Sequence, residues 1–263
     1  MAGVAAARER AQARPVAAAA AVLAAALVAW IVTLDRMGGM DAGPGTDLGE
    51  LGWFLGVWTT MMAAMMLPAT APVVALFAKT SSAARTVAFV GGYLAVWVAY
   101  GLAAYGLYRA VAAVDPSFLA WDEAGRYVAG GAVVAAGLYQ LTPLKAVCLK
   151  HCRSPMHVLL ARWRPGSHGA AAMGVEHGAW CAGCCWALMV VLFAVGVMSL
   201  FWMAVVAGLI LGEKALPRGE RLTKALGVGL VALGIWIAAA PGSVPNLTEP
   251  AGGHDDAMPS MSM

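Results

Sequence analysis

Stretches of roughly 17 to 25 consecutive, mostly apolar residues recur along the chain, each long enough as a helix to cross a hydrocarbon core of about 30 Å. They lie at about 15–34, 51–77, 86–111, 126–143, 174–194, 197–212 and 224–240. Inside lipid every backbone N–H and C=O must be satisfied within the segment, so such runs can only be helices. The expected fold is therefore an all-α, polytopic transmembrane bundle of about seven spans. Composition agrees: 61% of the 263 residues are hydrophobic, 12% are charged, and the mean hydropathy is +0.75. A soluble enzyme usually carries about twice that charge. A net charge of +3 gives a nucleic-acid partner no electrostatic support.

The first run follows Arg8, Arg10 and Arg14, as a secretory signal would, but its apolar part is longer than a signal's 7 to 15 residues. An uncleaved span is expected, and six spans remain if it is removed. Assigning loops alternately to the two sides gathers Arg8, Arg10, Arg14, Lys79, Arg85, Lys145, Lys150, Arg153, Arg162, Arg164, Lys214, Arg218, Arg221 and Lys224 on one side, 14 of the 17 basic residues. The other side receives Arg36, Arg109 and Arg126 with most of the acidic residues. The positive-inside rule then puts the N-terminus in the cytoplasm and the C-terminus outside, as expected of a multi-pass protein of the cell's inner (plasma) membrane. The expected organisation is a basic N-terminus at 1–14 and a helical domain at 15–240 with a cytoplasmic loop at 144–173. Residues 155–163 suit an interfacial helix, and the tail 241–263, rich in Pro, Gly and Ser, is expected to be disordered.

Neither a phosphate-binding glycine loop nor an inverted repeat of broken helices occurs, so no nucleotide is implied. No nucleophilic or hydrolytic triad suggests itself, which makes an enzyme the less favoured class. The chemistry lies in sulfur and imidazole. All five cysteines, Cys148, Cys152, Cys181, Cys184 and Cys185, fall within 38 residues that also hold His151, His157, His168 and His177. On a helix His177, Cys181, Cys184 and Cys185 share one face, and Cys148, His151 and Cys152 share another. Thiolate and imidazole suit Cu(I), with Zn(II) as the alternative. Against this stands ordinary packing, because a free cysteine is also a small hydrophobe.

Methionine is the next element. Met61, Met62, Met65 and Met66 form two adjacent i, i+4 pairs before Pro68, which is expected to kink the helix. Thioethers are soft, uncharged donors for Cu(I), although methionine is also a common filler between membrane helices. Outside the bilayer, Met37, Met40 and Asp41, and the tail residues His254, Asp255, Met258, Met261 and Met263, could capture a soft metal weakly. Glu213 is a possible functional carboxylate at the inner end of the sixth run, with Lys214 beside it as the reason to read it as structural.

Four strings in order, WTTMMAAMMLPATAPV at 58–73, KHCRSP at 150–155, HGAWCAGCCWALMVVLFAVGVMSLFWMA at 177–204 and GEKALPRG at 212–219, resemble a bacterial family of predicted metal-binding integral membrane proteins, a domain of unknown function. The resemblance covers roughly residues 50–240. It implies a membrane metal-binding role and matches Met61, Met62, Met65, Met66, Pro68, His151, Cys152, His177, Cys181, Cys184, Cys185 and Glu213. Cys148 and the Met-rich tail lie outside it. Three functions follow: a protein that transports or delivers copper; an accessory subunit of a larger membrane complex, such as one with a copper enzyme; and a thiol oxidoreductase using the Cys181–Cys184 CxxC pair.

Overall fold

The computed structural model describes residues 2–37, 48–114, 124–154, 163–195, 199–217 and 219–244. Among them are eight α-helices and no strand: α1 (Ala2–Met37), α2 (Leu51–Thr80), α3 (Ala83–Val114), α4 (Arg126–Gln140), α5 (Pro143–Arg153), α6 (Gly166–Val195), α7 (Leu200–Ala215) and α8 (Gly219–Ala239), followed by a 3₁₀ turn at Pro241–Ser243. The all-helical class is as expected. The span count is lower: five helices, α1, α2, α3, α6 and α8, are long and apolar enough to cross a membrane, and a sixth span arises if α4 and α5 are taken together.

Two physical details account for the difference from seven. The run 197–212 forms a helix of only 16 residues, about 24 Å long, which falls short of an ordinary span. The run 126–143 stops early because Thr142 precedes Pro143, and a residue before proline is held out of the helical region. Thr142 is extended (φ −77°, ψ 152°), its side chain caps Lys145 N, and α5 departs from α4 at 66°. The expected loop 144–173 therefore contains α5 and the first two turns of α6. An interfacial helix around 155–163 falls almost wholly outside the described residues. At the start of the chain the basic stretch belongs to the same helix as the first span.

α2 and α6 are the central helices, buried over 67% and 61% of their spans, against 28% or less for α1, α3 and α8. α2 continues without interruption through Pro68 and Pro72. On α6 the small residues allow contact with α3 at backbone distance: a Cβ on Gly174 would run into the Phe89 carbonyl. Small residues serve helix packing in lipid in this way because van der Waals contact replaces the hydrophobic effect there. α4 and α8 use the same device, with Gly130 and Gly137 facing Gly234 and Gly227. Tight α3–α6 and α4–α8 seams leave the interior to larger side chains, and these include seven methionines and all five cysteines.

Candidate metal centre

The centre forms where the short helices end. Counted from their starts at 1.5 Å per residue, Lys214 lies about 21 Å along α7, and Cys181 lies about 22 Å along the much longer α6. α7 and the bent α4–α5 pair thus stop beside the middle of α6 and deliver polar side chains there. Cys181, Cys184 and Cys185 are fully buried. Cys184 Sγ lies 3.3 Å from Cys185 Sγ and 3.2 Å from the Cys181 carbonyl oxygen. Cys152, from α5, stands beside the Cys181 and Cys184 thiols. Four of the five cysteines therefore share one site. Cys148, one turn earlier, packs against Gly183, whose carbonyl accepts from Tyr139 Oη at 2.6 Å.

Two ammonium groups meet this sulfur cluster. Lys214 Nζ donates to Cys181 Sγ at 2.9 Å, and Tyr93 Oη, from α3, lies 3.1 Å from the same sulfur. Lys145 Nζ donates to Glu213 Oε2 at 2.7 Å and to the Cys184 carbonyl, while Gln140 Nε2 reaches Glu213 Oε1 at 3.3 Å. Both members of the Lys145–Glu213 pair are fully enclosed. Two ammoniums against one carboxylate leave one positive charge unmatched, and the group in contact with it is the Cys181 sulfur. Charges buried in this way need a partner or they are strongly destabilising. A Cys181 thiolate would supply that partner.

His177 lies one turn before Cys181 on the same face, its ring against Phe89 and Tyr93 at centroid distances of 6.0 and 5.8 Å. Its Nδ1 is buried without a hydrogen-bond partner. A buried nitrogen lone pair or N–H left unpaired is uncommon and invites a ligand. His151 faces elsewhere: its ring stacks on Trp180 at 4.3 Å, and Nδ1 contacts the Val147 carbonyl at 2.9 Å. Among the described residues no three His, Cys, Asp or Glu side chains form a ready-made metal-holding group. The thiols instead engage Lys214, Tyr93 and one another, so a metal at Cys181 would have to replace some of these contacts.

The four α2 methionines lie in the core, each no more than 2% exposed. Thr70, one turn beyond Met66, donates to the Met66 carbonyl at 3.0 Å and also lies against Tyr93 Oη, the hydroxyl at Cys181. The methionine face of α2 is thereby continuous with the cysteine face of α6. At its other end it meets an aromatic layer in which Trp58 stacks on Phe54, Tyr100 and Phe193 and donates to the Trp97 carbonyl at 2.8 Å. Met37 closes α1, and its side chain is outside the described part. Met40, Asp41, His254, Asp255, Met258, Met261 and Met263 also fall outside the described residues.

Sequence reasoning missed several participants. Lys145, Lys214, Gln140 and Tyr93 were read as topology markers or not at all, because a bent helix and a short one bring them inward. Met173 and Met189 extend the α6 stripe at four-residue spacing, 173, 177, 181, 185 and 189, and that periodicity was available.

Residues 55–237 match the family model described as PpoB2, copper chaperone. The chain belongs to the PpoB2 copper chaperone family. The match spans all four ordered motifs, and the family's description names copper. No curated protein and no solved structure matches the chain. This PpoB2 family member buries four thiols together, with an unpaired imidazole nitrogen one turn before Cys181.

Proposed function

We propose that this chain is a multi-pass copper-delivery protein whose cargo is Cu(I), held at Cys181 with Cys152, Cys184, Cys185 and His177 as the surrounding donors. The observation that carries the reading is the convergence on one enclosed sulfur, Cys181, of other thiols, a lysine ammonium and an orphaned imidazole nitrogen. Cu(I) accepts few ligands, so two thiolates suffice, and the anionic complex they form is matched by the Lys214 ammonium. On loading, the Cys181 thiolate binds copper while still accepting from the Lys214 ammonium, and the second thiol releases its proton as its own sulfur–copper bond forms.

Met61, Met62, Met65 and Met66 form an uncharged approach along α2, and Thr70 and Tyr93 join it to the thiols. The remaining sequence assignments complete the reading. The basic loops favour a cytoplasmic N-terminus. Copper is captured outside by Met37, Met40, Asp41 and the tail residues His254, Asp255, Met258, Met261 and Met263. Cys148 and His151 line the α5 side, and Glu213 holds Lys145 in place. The recipient is a copper-dependent membrane partner or the far side of the bilayer. Elemental mass spectrometry of protein purified in mild detergent, loaded with Cu(I) under reductant, tests the site. The expected result is about one copper per chain, lost in the Cys181/Cys184/Cys185 triple alanine variant; retention of copper in that variant would sink the assignment.

A second reading, thiol exchange, is favoured by the 3.3 Å separation of the Cys184 and Cys185 sulfurs. It predicts a reversible intramolecular disulfide in a glutathione buffer, detected by alkylation and mass spectrometry. Thiols that stay fully alkylatable across the buffer range remove it.

A further inference from the structure

Away from the sulfur cluster, α1, α2 and α3 enclose a lateral cavity of about 690 Å³. It extends eleven residues along each helix, 14 to 25 on α1, 78 to 67 on α2 and 83 to 94 on α3, a depth of about 16 Å. Its polarity is graded along that depth. Arg14, Ser81 and the first turn of α3 lie at one end; the far end is formed by Ala25, Leu67 and Leu94. Ser81 is 4% exposed, and its hydroxyl has no hydrogen-bond partner. A hydroxyl buried in this way calls for a ligand at the mouth.

The ligand must match three features. The mouth is lined by Arg14 and by the first turn of a 32-residue helix, and an arginine side chain with a helix N-terminus favours a phosphate oxygen. The unpartnered Ser81 hydroxyl can donate to a second oxygen of the same group. Below it, the trough offers only apolar surface at the depth and length of an acyl chain. A free phosphate would use the mouth and leave the trough empty, and an apolar peptide would leave the mouth unpaired. We propose that this cavity is a binding site for one anionic diacyl phospholipid, its phosphate at Arg14 and Ser81 and one acyl chain between α1 and α3. The lipid would fasten α1 to the rest of the bundle, since α1 is otherwise mostly exposed and packs chiefly on α2.

Two substitutions probe the two halves of the site. Arg14→Glu reverses the charge at the mouth. Gly91→Leu fills the trough, because Gly91 lines the cavity and a Cβ there meets no atom within 4 Å. The full chain is purified in mild detergent, incubated with dioleoyl phosphatidylglycerol, dioleoyl phosphatidylcholine or inorganic phosphate, and examined by native mass spectrometry. One phosphatidylglycerol per chain is expected, with at least fivefold lower occupancy in each variant and unchanged copper content. Phosphatidylcholine and phosphate should each be retained at least fivefold less. Ser81→Ala, which removes only the hydroxyl, should lower occupancy two- to threefold and gives a reading even if a larger change disturbs folding. Equal retention of both lipids, retention of phosphate alone, or wild-type occupancy in all three variants would overturn the proposal. So would a dimer that Gly91→Leu dissociates, which would make a second copy the occupant. The copper content reports separately on the sulfur site, so either reading can fail without the other.

Discussion

The methionine stretch of α2 and the cysteine stretch of α6 are both central, dry and rich in sulfur, yet their surroundings are opposite. Around Met61, Met62, Met65 and Met66 the large neighbours are aromatic and aliphatic, and no charged side chain is buried among them. The Cys181 sulfur touches a lysine ammonium and a phenol, and at the Cys184 carbonyl a second lysine is tied to a carboxylate and an amide. The chemistry of the donors explains this. A thioether binds a soft metal as a neutral group, so it can sit in an apolar bundle with no counter-charge. A thiol binds as an anion, and an anion in a bundle core needs a cation held nearby. On the proposed function, the first region passes a monovalent ion along and the second keeps it.

The largest effect expected from breaking this contrast is at Glu213. Glu213→Ala removes the only carboxylate hydrogen-bonded to the Lys145 ammonium, and an uncompensated buried charge costs about 3–5 kcal/mol. A large drop in thermal stability in detergent should follow. Replacing both partners with apolar residues of similar size, Lys145→Met with Glu213→Leu, should recover most of it. If the single variant is as stable as the double, the charged knot is not what holds α5 against α7.

Lys214→Met should leave the fold nearly intact, because the lysine stem is only half-buried, and act instead on copper. Charge-assisted hydrogen bonds contribute about 1.5–3 kcal/mol, so the loss corresponds to roughly 10- to 100-fold weaker Cu(I) binding. Competition with a Cu(I) chelator under reductant measures it, and Lys214→Arg should restore part of the affinity. Unchanged affinity in Lys214→Met would show that the ammonium is a place-holder and not a counter-charge.

Much of the helical plan was legible because membrane spans depend on long apolar runs, and the i, i+4 spacing of His177, Cys181 and Cys185 matches one buried face of α6. Less legible was what depended on helices failing to be full spans. The Thr142–Pro143 step is in view in the sequence, but hydropathy alone runs straight through it, so the bend that turns Lys145 inward is hidden and its charge reads as a marker of the cytoplasmic side. The same reasoning put Lys214 at the membrane boundary, whereas a 16-residue α7 brings its ammonium to the middle of α6. Loop charge follows a statistical rule about translocation, and it says nothing about a lysine such as Lys145, drawn into the bundle by a carboxylate two helices further on. Tyr93 carried no signal in its own neighbourhood; only the α3–α6 seam brings it to Cys181.

The smallest effect distinguishes passage from storage. Met62→Leu with Met66→Leu keeps volume and shape, and swaps of that kind cost less than about 1.5 kcal/mol. Both side chains are fully enclosed, so no surface property changes. If copper rests on the thiols, the double variant should hold the same copper per chain at equilibrium, with affinity altered less than about twofold on the scale where 1.4 kcal/mol is tenfold. Its loading rate from a weak Cu(I) donor, followed by stopped-flow chelator exchange, should fall severalfold, because the uncharged approach to Thr70 and Tyr93 has lost two of its four donors. Equal rates would make Met62 and Met66 packing and nothing more. A loss of copper at equilibrium would move the resting site from Cys181 to the thioethers, and the lysines around the thiols would then need a different explanation.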